Sequence, residues 1–488
     1  MNEVRTRYAP SPTGFMHVGN LRTALYEYLV AKTQGGRFIL RIEDTDQERQ
    51  VEGALELIYR TLKRCGLQHD EGPDVGGPYA PYVQSERQAS YRPIAEELVR
   101  QGHAYYCFCG EERLAQLKAE GEHQGYDRHC RDLSPEEVQA RLSAGEPYVI
   151  RQRMPLEGET CFDDAVYGHI CVQNSELEDQ ILLKSDGFPT YNFANVVDDH
   201  AMGITHVVRG SEYLSSTPKY NLLYDALGYE KPVYIHLPLI VGEDGRKLSK
   251  RHGATSFDDL IKEGYLPEVI INYLALLGWS PGTEQEIFSL QELERNFDVA
   301  HIAKSPAVFD YKKLTWFNQE YFKAMDLDQF QALCQPYFDS VLAGAPFWAQ
   351  DREAKSRVLA ACLQPRLEKL GDIEATLRFL LDYRPDFDPE LYAHKKMKTQ
   401  AAGSAPLLRA VYQALESLPN WEQEALHQAL LDCAQRLEKK NGQVMWPCRI
   451  AISAQGVTPG GASELLFILG REESLARLAG QLERAELA

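Results

Sequence analysis

Val4-Arg5-Thr6-Arg7-Tyr8-Ala9-Pro10-Ser11-Pro12-Thr13-Gly14-Phe15-Met16-His17-Val18-Gly19-Asn20-Leu21 is the stretch that decides the fold. Residues 4–9 have short-strand patterning, which the Pro-Ser-Pro-Thr-Gly turn at 10–14 stops. From Leu21 the apolar positions Leu25, Tyr28 and Leu29 return at helical spacing. The aliphatic stem of Lys32 completes the stripe, and Asn20 is placed as the N-cap. Gly35-Gly36 closes the helix, and Arg37-Phe38-Ile39-Leu40-Arg41-Ile42 reads as a second strand with a carboxylate-rich end. Strand, helix and strand in this order make a βαβ unit. Its strands should be parallel, and its ligand should sit beyond their C-terminal ends.

Working outward, residues 86–185 change character. Helical patterns at 90–101 and 134–143 alternate with strand-like runs at 148–150 and 170–172, as in an α+β insertion. Patterning of the first kind resumes near Leu182, with buried-strand candidates at 206–209 and 234–237 and a helix at about 217–227 between them. Beyond residue 257 strand signals nearly vanish, and amphipathic helices follow, among them 356–370, 406–418 and 422–439. The expected fold is an α/β N-terminal half, a Rossmann-like parallel sheet with an α+β insertion, followed by all-α C-terminal domains. The boundaries read as 1–85 with 186–256 for the sheet domain and 86–185 for the insertion. A helical junction takes 257–320, and 321–488 forms an all-helical region divided near 385.

With 488 residues, the chain should hold three or four domains at about 100–200 residues each. Its 44% hydrophobic and 25% charged content excludes disorder. Residues 1–20 lack the apolar core of a signal peptide, and the longest apolar run, 269–279, is broken by Asn272. That run is short of the roughly 20 residues that span a bilayer, so no membrane partner is expected. Ten cysteines scattered over this length do not form a disulfide scaffold, which points to a reducing cytoplasm and makes Cys65, Cys161 and Cys362 packing residues. Against 52 Lys and Arg stand 71 Asp and Glu, a net charge of −19, which on its face speaks against a polyanionic partner.

Two loops carry candidate chemistry. The first βα turn has no G-x-G-x-x-G, and no Gly-Lys pair occurs anywhere, so a Walker-type phosphate loop is excluded. The turn holds His17-Val18-Gly19-Asn20 at a helix N-terminus, where free backbone N–H groups and the helix dipole attract phosphate. His17 can donate to phosphoryl oxygens, and Gly19 leaves room for a base or ribose. The second loop, Gly245-Arg246-Lys247-Leu248-Ser249-Lys250-Arg251-His252-Gly253, lies just past the last strand. Glycines at its ends free it to close, and Lys247 and Lys250 can then neutralise a leaving pyrophosphate.

Together, Tyr8–Gly14 with His17-Val18-Gly19-Asn20, and Lys247-Leu248-Ser249-Lys250-Arg251, resemble the "HIGH" and "KMSKS" signatures of class I aminoacyl-tRNA synthetases. Arg41-Ile42-Glu43-Asp44-Thr45-Asp46 and the run 183–191 look like the bacterial glutamyl-tRNA synthetase family in particular. So do 74–78 and 308–314, and the resemblance covers essentially the whole chain. It implies two steps, formation of glutamyl-adenylate from ATP and transfer of the acyl group to the 3′ end of tRNA(Glu).

The implied site is residue-specific. Catalytic positions are His17, Asn20, Lys247 and Lys250, with ATP held by His17, Gly19 and Lys250 and accompanied by magnesium. Glutamate falls to Arg7, Ala9, Ser11, Glu43, Tyr191, Asn195 and Arg209. An isolated buried arginine reads first as half of a structural ion pair. Two matched to one pocket point instead to the substrate carboxylates, which guanidinium binds bidentately. Neutral glutamine loses those pairs, at a cost of about 1–3 kcal/mol or more. The loop departs from the commonest family pattern at Leu248 and Arg251, and Tyr213 stands where some relatives carry Trp.

Cys107-Phe108-Cys109 with Tyr126 and Cys130 matches a place where some relatives hold zinc, which takes about four tetrahedral ligands. Three thiolates are at hand, and Tyr126, His129 and Asp132 compete for the fourth place. In the helical half, Arg366 and Arg449 match anticodon-contacting positions, and arginine reads base edges bidentately. The helical patterning favours the bacterial glutamyl type, a monomer, and Arg366 favours discrimination against tRNA(Gln). The alternatives are a form that also charges tRNA(Gln) and a non-catalytic tRNA-binding protein, against which the intact His17, Lys250, Arg7 and Arg209 count. The charge is also uneven. Residues 1–300 hold 30 basic and 47 acidic side chains, and 301–488 hold 22 and 24. The acidity therefore argues only against an indiscriminate nucleic-acid partner.

Overall fold

β1 (Arg5–Tyr8) is buried along its whole length although two of its four residues are arginines, so each guanidinium must find an acid indoors. Arg5 meets Glu71 through two hydrogen bonds of 2.8 and 2.9 Å, and Arg7 meets Asp199 and Glu27. The computed structural model describes residues 3–46, 48, 50–120, 126–384, 386 and 388–487. The side chains of Lys118, Glu120, Lys250 and Leu487 lie outside that description.

The chain divides into two units, one of residues 1–260 with 270–310 and the other of 261–269 with 311–488. In the first, α1 (Val18–Thr33) returns the chain to β2 (Arg37–Leu40), which pairs in parallel with β1 in the register Arg7–Ile39. The expected βαβ unit is therefore present. Two details differ from the sequence reading. The helix is capped by His17 and not Asn20, because His17 is extended (φ −66°, ψ 146°) and its Nδ1 accepts from the Gly19 N–H at 3.1 Å. The second strand also ends at Leu40, two residues early. There the backbone turns to pair Ile42 N–H with the Tyr82 carbonyl.

α2 (Ala54–Arg64) and α3 (Gln88–Arg100) lead to an antiparallel sheet of β3 (Ala104–Cys107), β4 (Val149–Gln152) and β7 (Ile181–Leu183). α4 (Glu111–Glu120) and α5 (Pro135–Ser143) lie between β3 and β4, and Ser134 with Glu137 closes a capping box on α5. The hairpin β5 (Glu159–Asp164) and β6 (Gly168–Gln173) falls in the stretch 86–185. β5 nevertheless joins the sheet β6–β5–β9–β8, with Asp164 beside Tyr234 of β9 (Val233–Leu237). α6 (Tyr191–Ala201) and α7 (Thr217–Leu227) flank β8 (His206–Gly210), which is parallel to β9. Thr205 N–H donates to the Arg5 carbonyl at 3.0 Å and ties β8 to β1. β1, β2, β8 and β9 thus all end toward one side.

One expectation about the cysteines is corrected here. Cys161 is not a packing residue, because it lies opposite Cys171 across the β5–β6 hairpin and is joined to it by a disulfide.

The second unit is helical, and no β-strand occurs among its described residues. The helix expected at 356–370 runs from Arg352 to Leu363 and stops before Pro365, which disfavours a helical residue ahead of it. Ser404–Glu416 and Gln423–Arg436 lie close to their expected positions. Two glycines make a close backbone approach possible. Gly264, at φ 98°, accepts from Leu370 N–H at 3.2 Å, and a Cβ on it would lie 2.4 Å from the Gly371 nitrogen. Gly264→Ala is therefore expected to cost about 2–4 kcal/mol of stability. Chemical denaturation checks this, and an unchanged midpoint would contradict the packing.

Candidate active site

Beyond the C-terminal ends of the parallel strands lies a cavity of about 400 Å³. Three loops build it. Tyr8 to Ser11 leave β1, Arg209 to Tyr213 leave β8, and Pro238 to Ile240 leave β9. His17, Gly19 and Asn20 form one wall, and Tyr191, Lys247 and Leu248 complete the rim.

The His17 ring is fixed by its own cap. Nδ1 is an acceptor, so in the neutral ring the proton sits on Nε2. Burial, with the charge of Lys247 added, lowers its pKa. At neutral pH His17 is accordingly an uncharged Nε2–H donor. Gly19 is needed for this arrangement, since a Cβ there would lie 3.3 Å from Nδ1. The lysine loop is a tight hairpin. Gly242 N–H donates to the Arg246 carbonyl, Val241 bridges Lys247, and Leu248 is buried as the anchor. Gly245 takes the left-handed turn at φ 72°. Lys247 reaches the cavity. The side chain of Lys250 lies outside the described residues.

The two arginines matched to glutamate differ sharply. Arg7 is held by Asp199 at 3.0 Å and Glu27 at 3.3 Å, within a dry cluster in which Arg41 also bonds Asp199 (2.7 Å) and Glu43 (2.8 Å). Burial alone would raise the Asp199 carboxyl, but Arg7 and Arg41 outweigh it and hold the group below its usual value. Burial drives Glu27 well above the usual carboxylate range, and its Oε2 has no partner.

Among the described residues Arg209 has no such pair. Its Nε and Nη1 are buried without a partner, and Nη2 reaches only Thr217 Oγ1 at 3.4 Å. The rings of Tyr220, Tyr213 and Tyr234 surround it at 4.4, 5.2 and 5.7 Å. Asn195 Nδ2 is likewise buried and unpartnered. A buried cation and an amide without acceptors call for an anionic ligand. Arg7, Ala9, Ser11, Tyr191 and Arg209 line the cavity, whereas Glu43 and Asn195 stand behind it, and both are buried. Sequence reading overlooked Glu27 and Asp199 as the partners that fix Arg7. The available signal was a lone acid inside Leu25-Tyr26-Glu27-Tyr28-Leu29, and another ending Val196-Val197-Asp198-Asp199.

The thiols of Cys107, Cys109 and Cys130 gather so that all their sulfurs lie within 4.8 Å of one another. The Tyr126 hydroxyl is 3.2 Å from Cys107 Sγ and 3.8 Å from Cys109 Sγ. Hydrogen bonding from Cys130 and Tyr126, working against burial, pulls the Cys107 thiol down to about 4. Three sulfurs and a phenol oxygen fit the donor set of a tetrahedral zinc site. His129 and Asp132 do not join it. His129 is exposed, and Asp132 points to solvent against Arg153.

In the helical unit, Arg366 and Arg449 converge on one loop. Arg366 donates to the Thr458 carbonyl at 3.0 Å, and Arg449 to Thr458 Oγ1 at 2.6 Å and the Gly456 carbonyl at 2.9 Å. Arg449 also stacks over Trp446 at 4.4 Å. Between them Val457 is 85% exposed, so the arginines present an apolar tip on a braced loop.

A parallel sheet with His17 and Lys247 lining the cavity at its C-terminal ends, joined to a helical unit, defines the architecture of a class I aminoacyl-tRNA synthetase. Residues 3–316 match the family described as tRNA synthetases class I (E and Q), catalytic domain, and 329–482 match an anticodon binding domain. The chain belongs to this family. It is 54% identical over 487 residues to the glutamate–tRNA ligase of Clostridium novyi, covering 100% of this chain and 99% of that one. It is 55% identical over 484 residues to that of Clostridium botulinum strain Hall, covering 98% and 97%. A glutamate tRNA ligase from Elizabethkingia meningosepticum, solved with its amino acid, superposes with TM-score 0.87 at 37% identity over 99% of each chain. The Elizabethkingia anophelis synthetase does so at 0.88 and 36%, over 99% of this chain and all of that one. No helix among the described residues is long and apolar enough to cross a membrane.

Proposed function

We propose that this chain activates L-glutamate with ATP and transfers it to the 3′ end of tRNA(Glu), a reading in line with the glutamate–tRNA ligase name of its relatives. The unpaired Arg209 guanidinium carries the reading, because an internal cation left without an acid has a carboxylate-bearing substrate as its natural partner. Arg209, with Asn195 and Tyr191, binds that substrate. Arg7, already paired, shapes the pocket floor, and Glu43, buried behind it, is the acid matched to the ammonium. Ala9 and Ser11 supply backbone and hydroxyl contacts.

A glutamate carboxylate oxygen attacks the α-phosphorus of ATP, the bond to the bridging oxygen breaks, and pyrophosphate leaves with that electron pair. His17 Nε2–H and the α1 N-terminus at Gly19 and Asn20 stabilise the phosphoryl oxygens. Lys247 and Lys250 neutralise the pyrophosphate, and magnesium, if bound with the nucleotide, would share that charge. A 3′-terminal ribose hydroxyl then attacks the acyl carbon and AMP departs.

Cys107, Cys109, Cys130 and Tyr126 would hold zinc, whose contribution when bound is to tie β3 to the 126–130 turn. Arg366 and Arg449 read the anticodon, and the assignment to tRNA(Glu) alone rests on Arg366. The 1–85/186–256, 86–185, 257–320 and 321–488 divisions are proposed to be the sheet domain, acceptor-binding insertion, stem-contact junction and anticodon region. The enzyme is proposed to act as a cytoplasmic monomer.

Charging of tRNA(Glu) and tRNA(Gln) transcripts with radiolabelled glutamate tests this. Only tRNA(Glu) should accept, and Lys250→Ala should depress adenylate formation far more than tRNA binding. Charging of neither transcript would refute the reading, and charging of both would refute discrimination. Metal analysis should find about one zinc per chain, lost in Cys107→Ser; equal zinc in both proteins would remove these residues as ligands.

A further inference from the structure

β5 and β6 pair so that Cys161 faces Cys171 and Asp163 faces His169. Alternate residues of a strand share a face, so all four side chains stand on one side of the hairpin. The opposite side is the packed one. Phe162 is core, and buried Asp164 accepts from His236 N–H at 3.1 Å and contacts its Nδ1 at 2.7 Å. The outward set is ordered nonetheless. His169 Nδ1 is 2.8 Å from Asp163 Oδ1, and His169 Nε2 is 3.3 Å from Cys171 Sγ. The two sulfurs and one ring nitrogen lie within 4.8 Å of one another.

We propose that, once reduced, this hairpin is a binding site for a thiophilic divalent cation of the zinc and cadmium class, and that the disulfide is its closed form. The carboxylate of Asp163 fixes the histidine tautomer. By accepting from Nδ1–H it leaves the Nε2 lone pair facing the sulfurs, the arrangement by which outer-shell carboxylates orient metal-binding imidazoles. Two thiolates and one imidazole make three ligands, and the exposed face leaves a fourth position to water. The reaction balances in two stages. A dithiol reductant breaks the Cys161–Cys171 bond, giving two protein thiols as the reductant becomes a disulfide. The cation then displaces one proton from each thiol and accepts the Nε2 lone pair. Oxidation removes both sulfur ligands together, so occupancy is gated by the redox state. The site is distinct from the Cys107, Cys109 and Cys130 cluster, with which it shares no residue.

Cadmium titration of the full-length protein, followed by the ultraviolet thiolate-to-metal charge-transfer band, tests this. Each sample is prepared with and without prior reduction by a phosphine that is then removed, and alkylation mapping reports the state of Cys161 and Cys171. Reduced wild type should bind one more equivalent than oxidised wild type and one more than reduced Cys161→Ser/Cys171→Ser, whose other cysteines are intact. His169→Ala should weaken that additional equivalent about tenfold or more, and Asp163→Asn should do so about tenfold. Equal stoichiometry in reduced and oxidised wild type, loss of no equivalent in the double variant, or a pair that resists reduction would each overturn the proposal. The oxidised wild type has the same sequence as the reduced protein, so misfolding cannot mimic the expected result.

Discussion

Arg209→Gln is expected to lower kcat/KM for glutamate in adenylate formation by about 10²–10⁴-fold, the loss of two charge-assisted hydrogen bonds at about 1.5–3 kcal/mol each. The KM for ATP and the affinity for tRNA should stay near wild type, because neither ligand is assigned to this side chain. Stability should move little as well. Arg209 has no acid partner to strand, and its contacts are Thr217 and three tyrosine rings. Amino-acid-dependent pyrophosphate exchange with a parallel melting curve makes the check. Unchanged glutamate kinetics would remove Arg209 from the substrate site, and a collapsed melting curve would make it a structural residue.

Asp199→Asn should do the reverse, costing about 3–5 kcal/mol of folding free energy, as expected when one partner leaves a buried ion-pair network. Arg7 and Arg41 both rest on Asp199 Oδ1, so a neutral amide leaves two buried guanidiniums to share Glu27 and Glu43. Glu27→Gln should be milder, since Glu27 already sits well above the ordinary carboxylate range through burial. The Asp199 pKa is depressed in the folded state. Its contribution is therefore present above the unfolded value of about 3.9 and lost as pH falls through the folded value. Denaturant titrations at neutral and acid pH should show a gap between wild type and Asp199→Asn that narrows on acidification. A loss below about 1 kcal/mol would mean the arginines find other partners.

The N-terminal fold was legible because its signals are local. A strand stopped by Pro10 and Pro12, an apolar periodicity and a Gly35-Gly36 stop are each written within a few residues. Errors fell where local signals compete. Asn20 is a good cap by residue type, but the extended backbone at His17 starts the helix earlier and uses the ring nitrogen as acceptor. The apolar spacing of 356–370 continues through Pro365, whereas the helix stops at Leu363. In the candidate site, the residue types around the cavity could be read from motifs. The contrast between Arg7 and Arg209 could not, because their neighbours come from α1, α6, α7 and β9.

The acidity concentrated in the first 300 residues, the His17 and Lys247 loop motifs, the cysteine spacing and the change from mixed to helical patterning belong to the sequence alone, since each is a property of order and composition. Tertiary structure decided which charges are spent inside the protein and which remain for a ligand. Asp199, 192 residues from Arg7, neutralises it, and among the described residues no acid pairs with Arg209. It also decided that Tyr126, and not His129 or Asp132, stands with the three thiols, and that Cys161 faces Cys171. The physical reason is common to all three. A charge or a sulfur acts over a few ångströms through space, and the fold sets those distances between residues that the chain keeps far apart.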